Sequence, residues 1–191
     1  MRNKLALCAL LGTLAACQNQ PAEQPTATPP TAETPAAAAT AASTAPPADA
    51  EAAKVRQWLV TSIEDNFNIP DKDGQNIDLE NPRSIYTRQY REYKLDAIQL
   101  EFQGEEEAKA FLKKWEGPYE TKYVGQGSFL FTGQDFGKVK VTKCELKERT
   151  KDQAYIFSVA TRDSTYNVDG KGDIKVIKTA DGYRIDDVRE Y

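Results

Sequence analysis

The sequence predicts an α+β domain in which N-terminal helices pack on one face of a curved antiparallel sheet, and three observations carry that prediction. Val55, Leu59, Ile63 and Phe67 recur at every fourth residue, the spacing of one apolar stripe on a helix. After Pro118 the apolar period falls to two, as in strands with one buried face. Asp181-Gly182, set between two such runs, is a hairpin signal. Helices that precede the strands, rather than alternating with them, gather on one face of the sheet.

The elements follow in chain order. Residues 1–16 read as a secretion signal, with Arg2 and Lys4 as a positive start and Leu5–Leu14 as an apolar run. That run falls short of the about 20 apolar residues a bilayer-spanning helix needs. It closes on Leu14-Ala15-Ala16-Cys17, which resembles the lipobox of bacterial lipoproteins. The resemblance implies that the Cys17 thiol receives a diacylglycerol and that the bond before it is cleaved, so the partner is a membrane reached through lipid at Cys17. The alternative is an ordinary secreted protein with a cysteine near its cleavage site. The polar stretch that follows favours lipidation, because a tether directly after an anchor lifts a domain off the headgroups. By the same resemblance, Gln18 in place of an Asp implies the periplasmic side of the outer membrane of a Gram-negative cell envelope.

Residues 17–48 form that tether. After Cys17 they are almost entirely Ala, Pro, Thr, Gln and Ser with scattered Glu, and include no aromatic or branched aliphatic side chain. Such a segment buries too little apolar surface to offset its ordering entropy, so it is predicted to be disordered. As a flexible coil it spans about 30 Å. Residues 49–191 are the right size for one domain. Cys8 leaves with the signal and Cys17 carries lipid, so Cys144 has no disulfide partner. In a strand-like stretch it reads as a small hydrophobe before it reads as a reactive thiol.

Within the domain, Asp49 stands where an N-cap belongs, and the first helix runs to just before Pro70. Asn81-Pro82 reads as a second helix start, followed by Tyr86, Tyr90, Tyr93, Ala97 and Leu100 at helical spacing. A third helix opens at about Glu105, with Ala108, Phe111, Leu112 and Trp115 on one face; its three leading Glu side chains suit a helix N-terminus. Phe129 and Phe131 then alternate, as do Val139 and Val141, while Cys144 and Leu146 continue with opposite parity. That change places a β-bulge near Thr142. Tyr155, Phe157 and Val159 form the next strand; Ile174 and Val176, then Tyr183, Ile185 and Asp187, form the last hairpin.

Gly127–Val141 (GSFLFTGQDFGKVKV), the strand at 154–161 and Ile174–Val188 (IKVIKTADGYRIDDV) resemble the nuclear-transport-factor-2-like superfamily, and within it small envelope lipoproteins. Gln134, Asp135 and Phe136 match a Gln-Asp-aromatic step before the first long strand. Tyr183, Ile185, Asp186 and Asp187 match the segment that ends the last one. The resemblance implies a cystatin-like cone, a bent sheet against helices with a cavity at its wide end. Isomerases, dehydratases, carriers, toxin-immunity proteins and dimerisation modules share that fold, so it does not fix function.

The chain contains no histidine. Ser–His, Cys–His and His–metal constellations are therefore excluded, and with them His–Asp dehydratases. An isomerase needs only a carboxylate base with a raised pKa and an oxyanion donor. Asp135 is the candidate base, with Tyr123 or Tyr155 as donor; the competing reading makes Asp135 a turn residue bonding nearby amides. Tyr123, Phe129, Asp135, Tyr155 and Asp187 are the expected cavity residues. An inward Asp187 requires an Arg or backbone donors, and a structural salt link or an edge position is expected before a pocket carboxylate. Asp71–Gly74 and Thr165–Val176 carry acidic spacings suggestive of calcium, but the first places its Gly too early and the second lacks the closing Glu, so both read as solvated loops. No metal or other cofactor is expected. A net charge of −4 without a basic stripe excludes nucleic acid as the expected partner.

Three functions compete. The leading one is a non-catalytic, lipid-anchored envelope domain that binds an envelope protein, a toxin (as immunity proteins do) or a small apolar ligand. The second is the Asp135 isomerase. The third is a structural module forming a homodimer through its sheet, which an exposed apolar patch on the outer sheet face would favour.

Overall fold

The structure, a computed structural model, describes residues 47–191 apart from 126 and 132–134, with side chains from residue 50 onward. The proposed signal peptide, Cys17 and the tether up to residue 46 lie outside the described residues, as does Gln134. Among the described residues, four α-helices precede a four-stranded antiparallel sheet, the predicted order with one short helix more than the periodicity predicts.

Helix α1 (Pro47–Asn68) carries the predicted stripe. Val55, Leu59 and Ile63 are fully buried and Phe67 nearly so, each contributing about 1.5–3 kcal/mol of apolar burial. The helix starts ahead of the expected Asp49 cap, inside the segment assigned to the tether. Pro47 suits a first turn, where its missing N–H has no helical partner to lose.

Residues 71–74, expected as a solvated loop, instead open a short helix, α2 (Lys72–Ile77), which Asp71 enters from the left-handed region at φ 59°. Asn76 on α2 is buried. Its amide donates to Asn66 Oδ1 of α1 at 2.8 Å, and its Oδ1 accepts from Ile85 N at 3.2 Å.

The next helix starts later than Asn81-Pro82. Asn81 Oδ1 accepts from Arg83 N at 2.9 Å, making a turn in place of a cap. The chain then runs extended, because Ile185 N donates to Ile85 O (2.7 Å) and Thr87 N donates to Ile185 O (2.8 Å). Thr87 caps α3 (Arg88–Gln99), its hydroxyl accepting from Tyr90 N at 3.1 Å. Helix α4 (Glu105–Trp115) buries Phe111 and Trp115, as expected, and leaves Leu112 exposed. Tyr93 of α3 stacks on Tyr119 at 4.1 Å between ring centroids and on Phe111 at 5.7 Å. The tyrosines of α3 itself are core.

The sheet is a meander of β1 (Val139–Arg149), β2 (Tyr155–Asp163), β3 (Val168–Thr179) and β4 (Gly182–Glu190). The predicted bulge is present as a register shift between Val141 and Lys143; a second lies between Leu146 and Glu148. Strand β3 begins within the stretch 165–176 expected as a loop. Gly182 (φ 121°) makes the turn before β4, a conformation L side chains disfavour. Residues 127–131 are not a strand: Phe129, Leu130 and Phe131 are all buried, and the Tyr90 hydroxyl takes the Phe129 carbonyl at 2.8 Å, the acceptor a neighbouring strand would need.

Both sheet edges are covered in part. Along β1, Val139 N donates to Asn68 Oδ1 (3.1 Å) and Val141 N to Glu64 Oε1 (3.0 Å), while Arg56 Nε donates to Cys144 O (2.6 Å). Along β4, residues 85–87 supply the Ile185 partners given above. Covered edges resist strand addition by another chain.

Asp163 ends β2 and accepts amides from Gly137 (2.6 Å), Thr165 (2.8 Å) and Tyr166 (3.2 Å). Burial pushes its carboxyl up, but these three amides and Arg162 outweigh that and hold it below the usual carboxylate range. A depressed folded value contributes stability above the ordinary aspartate range, near pH 4, that is lost as pH falls through the folded value. Asp163→Asn is therefore expected to lower the urea midpoint at pH 7 and to flatten its decline between pH 5 and pH 2. An unchanged acid slope would count against the assignment.

Candidate functional site

A cavity of about 340 Å³ opens between α1, α2, α3, residues 127–130 and Phe136. Phe67 of α1, Ile77 of α2 and Leu95 and Ile98 of α3 supply apolar wall; Phe129, Phe136 and Tyr86 supply aromatic wall. Phe67 meets Phe136 edge-on at 4.9 Å between centroids, and Tyr86 tilts against Phe129 at 5.4 Å. This volume and an apolar lining with few polar groups are what small-molecule sites have.

The polar groups at the cavity are Asn66, Asp73 and the Tyr86 hydroxyl, with Ser128 beside them. Tyr86 is buried, and its hydroxyl has no hydrogen-bond partner among the described residues. Burial, and behind it the charge of Asp73, push that phenol well above its ordinary value, so it stays a neutral O–H. An unsatisfied buried hydroxyl costs about 1–3 kcal/mol. Comparison of the chain with protein-family models, with curated proteins and with solved structures finds no match. The geometry of the site therefore carries the functional argument alone.

Of the five residues expected to share a cavity, the structure places only Phe129 on this one. Asp135 is exposed, on a separate cavity of about 280 Å³ with Phe131, Asp163 and Tyr166. Tyr123 lies in a single turn (Thr121–Tyr123) with the Lys122 ammonium over its ring, and Tyr155 is buried in β2 under the Arg149 guanidinium. Neither lines the cavity that Asp135 lines, so the base–donor pair is not brought together.

Asp187 is buried in β4, and Arg189 Nε donates to its Oδ2 at 2.9 Å while Arg189 Nη1 pairs with Glu120 at 2.8 Å. Burial pushes the Asp187 carboxyl up and Arg189 partly offsets it. That is the structural salt link expected first. Cys144 is buried, and burial pushes its thiol up to about 11, the environment of an inert thiol.

Sequence reasoning placed Tyr86 on a helical stripe and did not single out Asp73 as a cavity residue. The available signal was the extended spacing Ser84-Ile85-Tyr86-Thr87 before the Thr87 cap.

Proposed function

We propose that this chain is a lipid-anchored cell-envelope domain whose cavity binds a small, largely apolar ligand without chemistry on it. The carrying observation is the cavity itself, about 340 Å³ with an apolar and aromatic lining and few polar residues. Helices set before an antiparallel meander, with a cavity among them, support the nuclear-transport-factor-2-like cone as the architecture. The lipobox-like Leu14–Cys17 segment and the polar stretch after it support anchoring at Cys17, and Gln18 supports the outer membrane. Among the described residues no helix is long and apolar enough to cross a membrane.

The outer sheet face does not favour the dimer reading. Glu145, Ser158, Asp173 and Arg189 form one row across it by register, and Lys147 pairs with Asp173 at 2.6 Å.

The test uses residues 18–191, which retain every residue of the core cluster, and a neutral apolar dye, N-phenyl-1-naphthylamine. The dye is expected to bind at one-to-one stoichiometry with increased fluorescence, and Ile98→Trp, which fills the cavity, is expected to abolish this without lowering thermal stability. Dye binding unchanged in Ile98→Trp would refute the site. A stoichiometric envelope protein on the same chain, with no dye binding, would favour the protein-partner reading instead.

A further inference from the structure

The cavity carries a charge pattern as well as an apolar wall. Asp73 lines it from the first turn of α2 and is half-buried. Among the described residues no cation or hydrogen-bond donor pairs with its carboxylate. Phe67, Tyr86, Phe129 and Phe136, whose ring faces carry negative potential, line the same cavity. A carboxylate without a counter-ion in a cavity lined by aromatic rings attracts a cation by both Coulomb and cation–π terms.

We propose that the ligand of this cavity carries a positive charge: an alkyl- or arylammonium whose apolar body lies along Leu95 and Ile98 and whose head sits between Asp73 and the aromatic rings. This rests on the reading of the cavity as an apolar ligand site and adds the chemistry of the head group. A carboxylate or phosphate head is repelled by the same groups that hold the cation.

The experiment compares three probes with one body and different heads, n-octyltrimethylammonium, 1-octanol and octanoate, each below its micellar concentration. They are titrated calorimetrically into residues 18–191 and into Asp73→Asn and Asp73→Glu. The cation is expected to bind at least about tenfold more tightly than octanol, with octanoate weakest. Asp73→Asn is expected to bring the cation-to-octanol affinity ratio close to one, and Asp73→Glu to keep most of the gap. Raising the salt concentration should narrow the gap by screening. Equal binding of octanol and the cation in the unaltered chain, or a gap that survives in Asp73→Asn, overturns the charged ligand and leaves the apolar site standing. Binding of none of the three overturns both.

Discussion

Replacing Cys17 by serine is expected to move the protein from the membrane fraction to the soluble fraction of a Gram-negative cell almost completely. Each buried CH₂ contributes about 0.8 kcal/mol, one acyl chain holds a protein only marginally, and two or more hold it stably. No other feature competes for the membrane: the apolar run 5–14 is too short to span, and no helix among the described residues is long and apolar enough to do so. The unaltered protein should stay with membranes through high salt and carbonate and leave them in detergent, and its mature N-terminal peptide should carry acyl mass on Cys17. The variant should carry no acyl mass at its N-terminus. A Cys17→Ser protein that sediments with membranes as the unaltered chain does would refute the anchor. So would a mature N-terminus elsewhere than at Cys17.

What was legible in the sequence was what local periodicity controls. The α1 stripe needs only Val55, Leu59, Ile63 and Phe67 at a spacing of four, and the sheet needs only alternation; even the β1 register shift shows in the parity change between Val141 and Cys144. What was not legible depends on partners distant in sequence. Ile85–Thr87 run extended because Ile185, about a hundred residues on, supplies their hydrogen bonds, so helical spacing through Tyr86 was a misleading guide. Phe129 and Phe131 alternate like a strand, yet the Tyr90 hydroxyl occupies the carbonyl between them and Phe131 lies against Gly170 and Gly172 of β3, where any Cβ would collide with it. The cavity shares that origin. It is bounded by α1, α2, α3, residues 127–130 and Phe136 at once, so only Phe129 of its lining was anticipated. Asp187 was the easier case, because a carboxylate on the buried face of a strand forces a charged partner and Arg189 lies two residues away.

The ion pair between Lys94 and Glu190 gives the second large expected effect. Lys94 lies in the interior with its side chain fully buried, and its ammonium donates to Glu190 Oε1 at 2.8 Å and to the Gly125 carbonyl. Burial pushes the Lys94 ammonium below its ordinary value, and Glu190 opposes that shift. Removing one partner of a buried pair leaves an uncompensated charge, which typically costs about 3–5 kcal/mol, whereas replacing both with apolar side chains is often close to neutral. Glu190→Gln is therefore expected to destabilise by about 3 kcal/mol at pH 7, read from urea unfolding, and Lys94→Met with Glu190→Leu to recover most of that loss. The pH dependence separates this from a simple packing defect. With Glu190 gone, the folded value of Lys94 falls further below its unfolded value, so the unfolded chain binds more protons between the two. Stability of Glu190→Gln must then rise as pH increases through that window toward 10, as the buried ammonium loses its proton. A deficit that stays constant from pH 7 to pH 10 would mean that lost packing, not an orphaned charge, sets the cost, and that the pair holds the Gly125 turn against β4 by shape alone.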